Sequence, residues 1–164
     1  MRRARVKAHR GRVMPLVNTQ SNWRWCTQCQ GLWYAGHGNR GACSAGGGLH
    51  VQGPANYNLV HTSPADPGQH GWRWCAKCEG LWYGGDKSDR SWCPYDEGAH
   101  AMSGSADYSL DPAPGGNGEY GWRWCSQCQG LWFAGSGGAR GRCPKYGAPH
   151  SLVGSRDYNL VQVS

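Results

Sequence analysis

All nine cysteines of this 164-residue chain, and three of its seven histidines, fall on one repeating pattern. The pairs Cys26/Cys29, Cys75/Cys78 and Cys125/Cys128 are each followed by a third cysteine, Cys43, Cys93 or Cys143, and then by His50, His100 or His150. The gap from the second to the third Cys is 13, 14 and 14 residues, and the gap from the third Cys to His is 6 every time. Three thiolates and one imidazole are the ligand set of a tetrahedral Cys3His metal site, so the pattern predicts three structural zinc ions. Such a site has no open coordination position, whereas a catalytic zinc keeps one for water, and this predicts a structural and not a hydrolytic role. The histidine is the ligand that spacing specifies least, because its gap is longer than in common fingers. Disulfides are the alternative. Three cysteines per repeat would then leave a thiol unpaired or paired across repeats, and the constant histidine spacing would have no purpose.

The elements that must position these ligands are equally periodic. Trp-Arg-Trp-Cys-x-x-Cys-x-Gly-Leu-Trp begins at Trp23, Trp72 and Trp122, and a Tyr-x-Leu closes each unit at Tyr57/Leu59, Tyr108/Leu110 and Tyr158/Leu160. Cys-x-x-Cys followed by Gly is the form of a zinc knuckle, with the Gly expected to relieve the backbone where it turns back. Strand-forming residues on both sides read as the arms of a β-hairpin. The predicted fold is small, all-β and metal-stabilised: three tandem zinc-knuckle hairpin modules with little or no helix. The units run over 22–61, 71–111 and 121–164, behind a basic tail at 1–21 and joined by Pro/Gly-rich linkers at 62–70 and 112–120. A period of about 50 residues suits tandem modules, arranged either as beads or with pseudo-threefold packing; the linkers favour beads slightly.

Ordinary aliphatic residues are scarce. There is no Ile, and Leu, Val and Phe together number 18 of 164 residues, against ten Trp and eight Tyr. Aromatic rings and metal must therefore supply the stability, and each module is expected to be unfolded or molten without its ion. Along a strand Trp23 and Trp25 share a face, as do Trp72/Trp74 and Trp122/Trp124. They read as core, the alternative being an exposed aromatic platform. The surface candidates for ligand contact are then Tyr34, Tyr83 and Phe133, with Arg24, Arg73 and Arg123 as a second set. Trp33, Trp82 and Trp132 alternate with the first set and face the other way. Trp92, Tyr95 and Tyr146 do not recur in all three repeats, so the repeats are expected to differ in what they touch. His9, His37, His61 and His70 follow no repeat and receive no role.

Charge is uneven. Arg2, Arg3, Arg5, Lys7, Arg10 and Arg12 supply six of the 17 basic residues, leaving 11 basic against 10 acidic in the remainder. The basic character belongs to the tail. The tail does not read as a secretory signal, since Pro15 interrupts its only apolar stretch, and no segment is long enough to insert into a membrane.

The Trp- and Cys-containing string, with its later Cys, His and Tyr-x-Leu, resembles a Cys- and Trp-rich tandem zinc-binding module of actinobacterial and fungal proteins, many of them secreted and some carrying a hydrolase domain. The resemblance covers residues 22–161. It implies an accessory binding role, with secretion implied by the resemblance alone. The CW domain also places Trp near a Cys-x-x-Cys, but it uses four Cys at other spacings, so its histone ligand is not carried over. The sequence thus predicts a non-enzymatic, multivalent binding module for carbohydrate or a cell surface, lectin-like in mode. One alternative is nucleic-acid binding through residues 1–12; another is a structural or assembly protein whose arm docks an acidic partner. No catalytic set recurs: Asp107 and Asp157 precede Tyr108 and Tyr158, but Asn56 stands at that place in the first repeat, so a turn role is expected.

Overall fold

The computed structural model describes residues 18–45, 48–85, 90, 92–112, 118–135, 140–145 and 147–163; the basic arm at 1–12 and Tyr146 lie outside them. The fold is all-β, with no helix among the described residues. Each repeat contributes three strands: β1 (Thr19–Trp25), β2 (Leu32–Tyr34) and β3 (Asn56–His61) in the first; β4 (Gln69–Trp74), β5 (Leu81–Tyr83) and β6 (Tyr108–Leu110) in the second; β7 (Glu119–Trp124), β8 (Leu131–Phe133) and β9 (Tyr158–Val163) in the third.

The repeats share one register. The knuckle joins the first two strands as an antiparallel hairpin, pairing Trp23 with Tyr34, Trp72 with Tyr83 and Trp122 with Phe133. The Tyr-x-Leu strand pairs on the other side, setting Tyr57, Tyr108 and Tyr158 against the same three tryptophans. A bulge precedes each of these tryptophans. Its left-handed residue is Asn22, Gly71 or Gly121, types that tolerate positive φ. The backbone N–H there donates to the side-chain oxygen of Asn56, Asp107 or Asp157 at 2.7–2.8 Å. An amide and a carboxylate serve equally, so these residues are turn-fixing groups.

Of the two arrangements open to the sequence, beads and pseudo-threefold packing, the structure has the packed one, against the slight lean of the linkers toward beads. One strand path runs β5-β4-β6-β3-β9-β7-β8, with β1 and β2 attached at β3. β3 pairs with both β6 and β9, and an Asp111–Asn159 bridge links β6 to β9, so the closing strands of the three repeats meet around one axis. At the knuckles the ring closes in cyclic order. The N–H groups of Tyr34, Tyr83 and Phe133 donate to the carbonyls of Glu79, Gln129 and Gln30, each at 2.8 Å. The third repeat thereby returns to the first.

Burial explains the closure. One core joins Trp23, Leu32, Tyr57 and Leu59 to their counterparts Trp72, Leu81, Tyr108 and Leu110, and Trp122, Leu131, Tyr158 and Leu160. Each repeat offers four apolar residues on one face, too few to bury one another. Three such faces together form an interior. The core reading of the paired tryptophans holds for the first of each pair, which is fully buried; the second is only half-buried and packs against the edge of the same cluster.

Candidate metal centres and aromatic clefts

The knuckle turn sets two thiols side by side, and the long loop returns the third thiol and the imidazole from the far side. In each of the three buried quartets, Cys26/Cys29/Cys43/His50, Cys75/Cys78/Cys93/His100 and Cys125/Cys128/Cys143/His150, the four ligand atoms lie within 4.8 Å of one another. The Sγ atoms of Cys26 and Cys43 are 3.7 Å apart, with 3.8 and 3.9 Å in the other two quartets. The Sγ of Cys29, Cys78 or Cys128 is 3.7–3.8 Å from the Nδ1 of its histidine. A tetrahedron with metal–sulfur bonds of about 2.3 Å has an edge of about 3.8 Å, so the spacing is that of ligands around one ion. A disulfide needs sulfurs at about 2.0 Å, and all nine cysteines are free thiols. The chain thus provides three structural metal sites.

Electrostatics points the same way. Hydrogen bonds from Cys29 and then Cys43 draw the Cys26 thiol far below its usual range, whereas bonds to Cys26 and then Cys43 push the buried Cys29 well above it. Cys43, Cys93 and Cys143 are pushed up to about 11, first by their bonds to Cys26, Cys75 and Cys125. Packed this closely, three thiols cannot all ionise without a cation between them. Backbone N–H groups supply the outer support: Gly31 and Val51 donate to the sulfurs of Cys29 and Cys26 at 3.4 Å, and Gly80/Ala101 repeat this in the second site.

The knuckle glycine has a different purpose from the one expected. The left-handed residue of the turn is Gln30, Glu79 or Gln129, with φ of 65–68°. Gly31, Gly80 and Gly130 follow it, and a Cβ on any of them would stand 3.3–3.4 Å from the preceding cysteine sulfur. Glycine here permits close approach to the metal ligand.

Each histidine also ties its site to the next repeat. With Nδ1 facing the thiolates, Nε2–H donates to a knuckle carbonyl: His50 to Cys78 at 3.1 Å, His100 to Cys128 at 3.0 Å and His150 to Cys29 at 2.9 Å. Such outer bonds fix the tautomer and the ring orientation of a metal ligand. Trp33, Trp82 and Trp132 stack on these imidazoles at 5.0–5.1 Å, with interplanar angles of 15–21°. These tryptophans face the opposite way from Tyr34, Tyr83 and Phe133, as their alternation predicts, but it is the latter set that packs against the main core, while the tryptophans cluster with the metal-site cysteines.

Tyr34, Tyr83 and Phe133 are half-buried, each tilted on its own repeat's tryptophan at 5.2–5.3 Å. Each looks across a repeat junction toward the second tryptophan of the next repeat. Phe133 meets Trp25 edge-on at 6.2 Å. Between Tyr34 and Trp74 stands the His37 ring, 4.8 and 4.9 Å from them. Tyr83 and Trp124 line a cavity together. Arg24, Arg73 and Arg123 sit on the same hairpins, cross-strand from Trp33, Trp82 and Trp132. Arg24 donates to the Ala55 carbonyl at 3.3 Å, and Arg123 lies 3.6 Å from Asp157.

Two sets of junction residues escaped the sequence reading. Gln20, Gln69 and Glu119 accept from the indole N–H three residues ahead, and also from a tyrosine of another repeat: Tyr108, Tyr158 and Tyr57 respectively, at 2.5–2.6 Å. Glu79 is buried and takes Trp74 Nε1–H at 2.6 Å, His37 Nδ1 at 3.0 Å and Asn39 Nδ2 at 3.0 Å. Gln30 and Gln129 fill the corresponding place and accept from Trp25 and Trp124. The recurrence of Gln or Glu at both positions was the available signal. No family model matches the chain, and neither a curated protein nor a solved structure is similar to it.

Proposed function

We propose that this chain is a non-enzymatic binding module, held by three structural zinc ions, that recognises carbohydrate on a polysaccharide or cell surface. Zinc suits a thiolate-rich tetrahedral quartet with no redox task. The observation that carries the reading is the recurrence of aromatic residues on both sides of each junction: Tyr83 and Trp124 line a cavity, Phe133 meets Trp25, and His37 stands between Tyr34 and Trp74. Half-buried rings held by packing offer apolar faces at low entropic cost, which suits the C–H face of a sugar. The quartets are closed by four protein ligands, which argues against hydrolysis at the metal. The role accords with the accessory function implied by the resemblance to the Cys- and Trp-rich tandem module. Charge confined to residues 1–12 favours a second reading, in which the arm binds nucleic acid or an acidic partner.

Retention of the metal-loaded chain on insoluble polysaccharide, cell-wall material and nucleic acid, at low and high salt, tests both readings. Carbohydrate recognition predicts salt-resistant retention on a glycan, unchanged when residues 1–12 are removed. Retention on nucleic acid alone, lost with salt or with the arm, would replace it by the second reading.

A further inference from the structure

The three aromatic junctions are related by the repeat but are not chemically alike. At the junction of repeats three and one, Phe133 and Trp25 touch, and the counterpart of Gln69 there is Glu119, whose carboxylate accepts from Tyr57 at 2.6 Å and Gln162 at 3.1 Å. At the junction of repeats one and two, the His37 ring fills the space between Tyr34 and Trp74. The junction of repeats two and three holds a cavity of about 120 Å³ between Tyr83 and Trp124, with Gln69, Gly154, Arg156 and Tyr158 on its walls.

Two polar groups distinguish this third cleft. Arg156 is exposed, and among the described residues its guanidinium has no ion pair. The positions matching it are Ala55 and Ala106, so neither sister cleft carries a cation there. Gln69 commits its side-chain oxygen to Trp72 at 3.1 Å and to Tyr158 at 2.5 Å, which turns the amide nitrogen toward other acceptors. The Trp124 ring is held by its own bond to Gln129 at 3.0 Å, and Tyr83 by its packing on Trp72.

From these groups we infer that the Tyr83–Trp124 cleft is a binding site for an acidic sugar residue, a pyranose bearing a carboxylate. The aromatic faces take the apolar face of the ring, the Gln69 amide donates to a ring substituent, and Arg156 receives the carboxylate through its planar fork of donors. The Glu119 cleft repels such a ligand, and the His37-filled cleft has no room for it. This inference rests on the carbohydrate reading above and adds to it a single site and a charge preference.

The test compares two probes: an oligogalacturonate of four residues, and the same oligomer with its carboxylates reduced to alcohols. Calorimetric affinities are measured with the metal-loaded full chain, for the wild type, Arg156→Ala and Arg156→Lys. Alanine already occupies this position in both other repeats, so R156A retains the fold, which near-UV circular dichroism and a count of three bound metals verify. The wild type is expected to prefer the acidic oligomer by about tenfold, R156A to bind the two alike, and R156K to fall between. The acidic preference should also shrink with salt, while affinity for the reduced oligomer stays constant. A wild type without preference, or an R156A variant that keeps it, overturns the inference and leaves the broader reading intact if the reduced oligomer still binds. A wild type that binds neither oligomer also overturns the inference, and polysaccharide retention then decides the broader reading separately.

Discussion

His100→Ala removes one imidazole from the middle repeat, and the closed ring of contacts predicts that its effect will spread to all three. The side chain has three attachments: coordination beside Cys78, with Nδ1 3.8 Å from the sulfur; a hydrogen bond from Nε2 to the Cys128 carbonyl of the third repeat at 3.0 Å; and a stack on Trp82 at 5.0 Å. The hydrogen bond contributes about 1 kcal/mol and the ring contact about 1 kcal/mol. A structural zinc contributes an apparent ~10–16 kcal/mol over four ligands, so one ligand's share is about 3 kcal/mol. The sum of about 5 kcal/mol is comparable with the whole stability of many domains, ~5–15 kcal/mol. The twelve-residue core is common to all repeats, so the loss cannot stay local. The assay is metal content per chain, together with thermal unfolding followed by near-UV circular dichroism. The expected result is one broad early transition, with metal lost from more than one site as the chain opens. A variant that holds two metals, keeps two thirds of the aromatic signal and melts at the wild-type temperature would refute the reasoning, because it would mean that each repeat folds alone.

Three further outcomes follow from the same geometry. A strong chelator should abolish the near-UV signal of the tryptophans, because Trp33, Trp82 and Trp132 are held against metal-bound imidazoles; an unchanged spectrum with the metal demonstrably removed would contradict this. Gly41→Ala should cost well over 2 kcal/mol, since its Cβ would stand 2.2 Å from the Cys78 carbonyl at a φ of +60°, whereas Gly38→Ala, at φ +79° with nothing within 4 Å, should cost only about 1 kcal/mol; equal midpoints in denaturant titrations would deny the tight repeat junction. Burial pushes the Tyr108 and Tyr158 phenols up to about 12 and Tyr57 higher still, so the unfolded chain, with ordinary phenols near 10, releases its protons first. Stability from these groups is therefore complete below about pH 10 and falls as pH rises toward about 12; absorbance at 295 nm should show a late-titrating set of tyrosines that ionises together with unfolding, and a single early step in a still-folded chain would contradict it.

The metal ligands were legible in the sequence because ligand identity depends on residue type and spacing along a short stretch. Cys26 and Cys29 are brought together by one turn, and a constant gap returns His50 to them in every repeat. The hairpins were legible for the same reason, and so was the opposition of Trp33 to Tyr34, since alternation along a strand puts adjacent residues on opposite faces. The junctions were not. Nothing local to Glu79 announces that His37 and Asn39, some forty residues away, will reach it, nor that the His150 imidazole will close on the Cys29 carbonyl across 121 positions. Glycine and proline in the connecting segments specify a chain that turns, and that is compatible with beads as well as with a closed ring. The tertiary structure decided between them. A single repeat has four large apolar residues and no second face to cover them, so only three repeats around one axis bury them all. The same closure made three sequence-equivalent aromatic positions unequal, leaving the Tyr83–Trp124 cleft with a cavity and an arginine.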